Sequence, residues 1–102
     1  MEHDAAWHHR QLMELVARFE TGLKSSQEAG MIFSSDEFRY CVSRPCVRVV
    51  DSDRLLVRGV CDGVPVTMIL PAAGLVVELV PIDVAPGRPV FRIKRGTADG
   101  KK

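Results

Sequence analysis

Two sets of residues in this chain could do chemistry, and their spacing argues against a reactive site. The three histidines all lie in the first ten residues, and no two of them have the i, i+4 spacing that brings metal ligands together on one helix face. The cysteines Cys41, Cys46 and Cys61 do not form the closely spaced C-x-x-C pair of a zinc site. We therefore expect solvated histidines, free thiols in a reducing compartment and no bound metal.

The sequence also lacks the motifs of the common enzyme and cofactor sites. The serines lie in polar stretches as pairs, with no G-x-S-x-G turn to expose a nucleophile. Gly59 and Gly63 do not have the spacing of a G-x-G-x-x-G phosphate loop. The sequence therefore predicts a protein that is not an enzyme and that needs no cofactor.

Length and composition predict one small cytoplasmic domain over residues 1–102. A chain of 102 residues with 46% apolar and 26% charged residues can build one core. No apolar run is long enough to span a bilayer, and the first residues lack the pattern of a signal peptide, so no membrane association is expected. Positive charge is concentrated near the end, which predicts a flexible basic tail over residues 95–102.

The elements that must position any site begin with an amphipathic helix over residues 4–23. Asp4 is a favourable N-cap, and Gly22 is placed where the helix should end. Apolar residues recur at helical spacing at Leu12, Leu15, Val16, Phe19 and Leu23. This stripe predicts packing on the core, a homodimer through the helix, or both. Residues 24–36 read as a linker that contains a short strand or a turn.

From Glu37 the hydrophobic period changes to two, which indicates strands. Turn residues at Arg44-Pro45, 51–53 and Asp62-Gly63 separate the runs. The predicted strands cover 38–43, 47–49, 55–61, 64–70 and 75–80, with a last apolar piece at 90–93. The expected fold class is α+β, mostly β: an N-terminal helix followed by a strongly bent, five- to six-stranded antiparallel Sm-like barrel over residues 37–94.

The stretch from Phe38 to Pro81 resembles the barrel of the stringent starvation protein B family, adaptors that deliver tagged substrates to the ClpXP protease. The family pattern is a strand, a Gly-Ile-Pro turn, a strand that ends in Pro, Ala-rich residues and a last strand. Its matching segments in this chain are 53–61, Gly63-Val64-Pro65, 66–70, Pro71-Ala72-Ala73 and 75–80. The resemblance implies an adaptor that holds an extended peptide, such as a degradation tag or a tagged protein.

The resemblance also implies where the peptide would bind. Gly59 matches a small residue that lets the peptide approach, although a glycine bend in the sheet explains it equally well. Val57, Cys61 and Met68 would line an apolar peptide groove, and core packing is the alternative for all three.

A second resemblance lies near the C-terminus, where basic and apolar residues alternate as in the family's docking motif for the ClpX unfoldase. The residues concerned are Arg88, Pro89, Val90, Phe91, Arg92 and Ile93. The family separates this motif from the barrel by a long acidic linker that this chain lacks. The alternative is a final barrel strand over residues 90–93.

Two other functions stay open from the sequence. A helix with a small bent sheet is also the outline of Sm-type RNA-binding modules, but Arg39, Arg48 and Arg58 are spread along the strands. The few aromatic residues offer little surface for base stacking, so RNA ranks second to a peptide. A structural subunit of a larger assembly ranks third.

Overall fold

The computed structural model describes residues 3–93, and it begins with the predicted helix. Helix α1 spans Ala5–Thr21. The Asp4 side chain accepts a hydrogen bond from the Trp7 backbone N–H at 2.9 Å, which satisfies one of the free amides of the first turn. At the other end, the Gly22 N–H donates to the Phe19 carbonyl oxygen, and the Leu23 N–H donates to that of Glu20.

Five antiparallel strands form one sheet, in the order β4-β3-β2-β1-β5. The strands are β1 Gln27–Ser34, β2 Arg39–Val49, β3 Arg54–Cys61, β4 Val64–Pro71 and β5 Val76–Asp83. The α+β class and the mostly β content are therefore confirmed. The sheet is not closed, because β4 and β5 are its two edges.

Strand β1 lies where the sequence predicted a linker, and it occupies a position inside the sheet. Its residues 31–34 pair with β2 on one side, and residues 27–34 pair with β5 on the other. Residues 28–31 are buried one after another, so this strand does not show the alternation that identifies a half-buried strand. The sheet thus begins at residue 27 and not at residue 37.

Strand β2 runs through the predicted turn at Arg44-Pro45. Arg44 has a φ of 51°, and the register with β3 shifts between Ser43 and Cys46. This irregularity is a β-bulge, which bends the strand without ending it. The first part of β2 pairs with β1 and the second part pairs with β3, so the bulge lies where the sheet passes from one half to the other.

The hairpin of β3 and β4 follows the sequence prediction closely. Asp62 and Gly63 form its two-residue turn, with φ values of 53° and 79°. Both values suit the type I′ turn that short hairpins prefer. Strand β5, by contrast, continues through Pro81 to Asp83, where the sequence predicted a break.

The prolines of β4 lie on its free edge. The Ala72 N–H donates to the Asp53 carbonyl oxygen at 2.8 Å, so by strand alternation Pro65 and Pro71 face away from β3. These prolines therefore remove no hydrogen bond from the β3–β4 ladder. On the free edge, they also discourage pairing with another strand, because they have no N–H to donate.

The same alternation places the proline of β5 on the opposite edge of the sheet. The Val84 N–H donates to the Ser26 carbonyl oxygen at 2.8 Å. Pro81 is three residues away, so its nitrogen faces away from β1. Both edges of the sheet are therefore interrupted by proline.

The core lies between α1 and one face of the sheet. Its fully buried members include Val16 of the helix, Met31 and Phe33 of β1, and Val57 of β3. The predicted helix stripe is therefore largely covered within the chain, but Leu15 remains 52% exposed. The homodimer through α1 stays a prediction, and residues 94–102, with the predicted basic tail, lie outside the described part of the chain.

Candidate functional site

The tip of the β3–β4 hairpin extends beyond the ladder that joins β3 to β2. The β2–β3 register ends at Ser43 and Val60, whereas the β3–β4 register continues to Cys61 and Val64. The tip is therefore held by its own hairpin and not by β2. Val64 is 58% exposed there.

An apolar cleft of about 210 Å³ lies between this tip and the face of β1, β2 and β5 that points away from the helix. We call it the tip cleft. Four strands contribute to its wall, and the residues that line it are Met31, Ile32, Cys41, Val42, Ser43, Val60, Asp62, Val80 and Ile82. Its size suits one or two aliphatic side chains rather than a large cofactor.

A glycine shapes the floor of the tip cleft. A Cβ on Gly30 would come within 2.5 Å of the Ile82 Cδ1 atom and 3.3 Å of the Val42 carbonyl oxygen. The Ile82 side chain therefore lies across the bare backbone of β1. Any larger residue at position 30 would require the Ile82 side chain to move.

Gly59, the residue expected to admit a peptide, faces its own chain. A Cβ at this position would overlap the Val42 side chain and would lie 2.8 Å from the Ser43 carbonyl oxygen. The missing side chain lets β3 approach β2 closely beside the bulge. The bend in the sheet accounts for this glycine, and the space next to it is already occupied.

The other three residues predicted for peptide binding share the core-facing side of the hairpin with Gly59. Val57 is fully buried and belongs to the core. Met68 pairs with Val57 in register and is partly buried against the same core. Cys61 is half-buried at the tip. The structure thus places these residues on one face, but that face packs inward and is not the one that lines the tip cleft.

Residues 88–93, which we call the C-terminal strap, form no strand and bind to the body of the same molecule. The Phe91 N–H donates to Glu28 Oε1 at 3.0 Å, and the Ile93 N–H donates to Glu20 Oε2 at 2.6 Å. Arg92 donates to the Gln27 carbonyl oxygen. The alternative prediction, a final barrel strand over residues 90–93, is therefore wrong.

The side chains of the strap are also used within the molecule. Ile93 is 1% exposed, and Phe91 packs against the core. Docking of these residues on an unfoldase would therefore require their release from the core. The exposed members of the strap are Arg88 and Pro89.

Arg44, the residue of the β2 bulge, connects the sheet to the strap. Its Nε and Nη2 atoms donate to the Glu28 carboxylate at 3.3 and 3.4 Å, and Nη2 also donates to the Pro89 carbonyl oxygen at 2.8 Å. The guanidinium lies 5.9 Å from the centre of the Phe91 ring. Glu28 is almost fully buried. Its carboxylate is satisfied by the Arg44 guanidinium together with the hydrogen bond from the Phe91 N–H.

The clearest electrostatic effect lies away from the tip cleft, in the β2–β3 turn. Asp51 and Arg54 form an exposed ion pair at 2.6 Å, and hydrogen bonding from Arg54 lowers the pKa of the Asp51 carboxyl. Within residues 3–93, no group of three or more His, Cys, Asp or Glu side chains is arranged to hold a metal ion. His9 is used structurally, since its Nε2 lies 2.8 Å from the Val47 carbonyl oxygen.

Comparison with known proteins gives no relative from which a function could be transferred. No protein-family model, no curated protein and no solved structure matches the chain. Among the described residues, no helix is long and apolar enough to cross a membrane.

Proposed function

We propose that this protein is a peptide-binding module that holds an extended apolar segment of another polypeptide in the tip cleft. The observation that carries the proposal is the cleft itself, where half-buried aliphatic side chains from β1, β3 and β5 surround an open space. Grooves of this kind bind alternate side chains of an extended peptide. Ser43 and Asp62 add polar atoms at the wall that could orient the peptide backbone.

Adaptor activity, with delivery of the bound segment to a ClpXP-type protease, is the wider form of this proposal. It depends on the resemblance of Phe38 to Pro81 to stringent starvation protein B. An Sm-like, partly open barrel belongs to the same proposal, and the adjacency of β5 and β1 in the strand order is compatible with it. The binding step can be tested without the protease.

The test is fluorescence anisotropy of a labelled peptide of alanine, serine and valine residues, titrated with the protein. We expect saturable binding that is lost in Val80→Glu, because this change puts a charge into the cleft wall. Val76→Glu is the matched control. Val76 lies on the same strand and the same face but is 55% exposed and does not line the cleft.

Single-stranded RNA is titrated beside the peptide, since the sequence leaves RNA open. Binding of RNA with a steep loss of affinity at higher salt, together with no binding of peptide, would contradict the proposal. So would peptide binding that Val80→Glu and Val76→Glu weaken equally.

A further inference from the structure

The tip cleft adjoins a second, polar hollow of about 380 Å³. The two spaces share the wall residues Ser43, Val60 and Ile82. Among residues 3–93, Asp62, at the hairpin tip, is the one charged residue that lines the tip cleft. The charged residues that line the hollow are Glu28, Arg44, Asp83 and Arg88. The apolar tip cleft therefore adjoins a hollow that carries two arginines and two carboxylates.

Arg44 has donors left for a ligand in the hollow. Its Nε and Nη2 atoms are engaged by Glu28 and by the Pro89 carbonyl oxygen. A guanidinium has five N–H groups, and the two on Nη1 have no acceptor among residues 3–93. The other contacts fix the orientation of the guanidinium. Binding of a ligand to Nη1 therefore costs little additional side-chain entropy of Arg44.

Arg88 provides the second cation, and its backbone is held in place by a turn. The Arg88 N–H donates to the Ala85 carbonyl oxygen at 3.2 Å, and Gly87 between them has a φ of 88°. Within the described part of the chain, the exposed guanidinium of Arg88 takes part in no hydrogen bond or ion pair. It is therefore available to an anion in the hollow.

The acidic residues of the hollow are already engaged. The Glu28 carboxylate is paired with Arg44 and accepts the Phe91 N–H. Asp83 Oδ1 accepts a hydrogen bond from the Gln27 side-chain amide at 3.1 Å. The hollow is formally balanced in charge: Asp83 has no cation partner among residues 3–93, and the charged side-chain donors without an acceptor there are those of Arg44 Nη1 and Arg88. A small anion at the end of an apolar ligand would complement them.

We infer that the tip cleft takes the C-terminal end of an apolar polypeptide, with the free terminal carboxylate bound in the hollow by Arg44 Nη1 and Arg88. This inference rests on the proposed function and narrows it to one class of ligand. The last aliphatic side chains would lie among Ile32, Val60 and Val80 in the tip cleft.

The experiment compares two peptides of the same alanine, serine and valine sequence with an N-terminal fluorophore, one with a free C-terminal carboxylate and one with a C-terminal amide. We expect the free carboxylate to bind about fivefold to tenfold more tightly, as suits charge-assisted hydrogen bonds at a partly exposed site. Arg88→Gln should bring the two affinities close together. Arg58→Gln, an exposed arginine outside the tip cleft and the hollow, should leave their ratio unchanged.

The outcomes separate this inference from the proposed function. Equal affinity of the two peptides, with sensitivity to Val80→Glu, overturns the carboxylate inference and leaves peptide binding in place. A preference for the carboxylate that is unchanged in Arg88→Gln also overturns it, because Arg88 then does not bind the carboxylate. Failure of both peptides to bind removes the proposed function and the inference together.

Discussion

The two faces of the sheet carry similar apolar residues, but the side chains of one face are more deeply buried than those of the other. On β1, Met31 and Phe33 point to the helix side and are fully buried, whereas Ile32 between them is half-buried on the other face. The first face is covered by α1. The second face surrounds the tip cleft, opposite the hairpin tip.

The face that α1 leaves uncovered is the part of the sheet available to a ligand. Burial of apolar surface stabilises a protein by about 25 cal/mol per Å², and the aliphatic residues of the tip cleft gain only part of that. Polar residues at positions 32, 80 and 82 would leave the helix-side core unchanged. The proposed peptide ligand would cover the apolar residues at these positions.

The sharpest test of the comparison is a pair of truncations on adjacent residues of β1. Phe33→Ala removes a large side chain from the closed core and should lower the free energy of unfolding by about 3–5 kcal/mol. Ile32→Ala opens no enclosed cavity and should cost about 1 kcal/mol. Urea unfolding measures both. Similar losses in the two variants would mean that the two faces do not differ in packing.

The second prediction concerns the close approach of β3 and β2 that positions the hairpin tip. Gly59→Ala should lower the free energy of unfolding by about 2 kcal/mol, because the new Cβ meets the backbone at Ser43. Gly22→Ala is the control, since its Cβ would be 3.6 Å from the nearest atom. Thermal unfolding of both variants distinguishes strain from a general effect of glycine replacement. A fully stable Gly59→Ala variant would contradict this account of the glycine.

The third prediction concerns the polar hollow beside the tip cleft. Glu28→Gln removes the charge that pairs with Arg44 and weakens the contact with the strap, so it should cost about 1–2 kcal/mol. The exposed Glu14→Gln is the control and should stay within about 0.5 kcal/mol of the parent protein. Hydrogen exchange of the Phe91 amide should accelerate in Glu28→Gln only. Unchanged exchange would show that Glu28 does not hold the strap.

The smallest effect is expected at the helix side, in the β2–β3 turn that contacts the start of α1. The Ala5 N–H donates to the Ser52 carbonyl oxygen at 2.7 Å, and the Asp51–Arg54 pair stiffens this turn. Because the pKa of Asp51 is lower in the folded than in the unfolded protein, its contribution is present above about pH 4 and is lost as the pH falls.

Asp51→Asn should therefore lower the melting temperature slightly at pH 7, and the difference from the parent protein should shrink below about pH 4. Melting curves at several pH values measure it. A difference that grows as the solution becomes more acidic would contradict the lowered pKa.

Local signals predicted the elements whose residues carry them. Asp4 and the apolar stripe predicted α1, and Asp62-Gly63 predicted the β3–β4 hairpin. Strand β1 was missed because small Ala29 and Gly30 and the charged Glu28 are buried in succession, which hides the period of two. Arg44-Pro45 was interpreted as a turn because a bulge uses the same residue types.

The candidate site could not be predicted because it depends on pairing between distant strands. The wall of the tip cleft combines Ile32, Val60 and Val80, which are far apart in the sequence and are brought together by the register of the sheet. The resemblance led instead to Val57 and Gly59, which share a face of β3 but point to the core and to β2. The sequence does not say which face of the sheet the helix covers, and that face must be known before residues of the other face can be chosen as a binding site.

The most direct test of the central claim is a titration of ¹⁵N-labelled protein with the unlabelled carboxylate peptide, followed by amide chemical shifts. We expect shifts at Ile32, Ser43, Val60 and Val80, around the tip cleft, with Val16 and Val57 on the helix side unchanged. Shifts confined to α1 or to the free edge of β4, or no shifts at all, would contradict the claim.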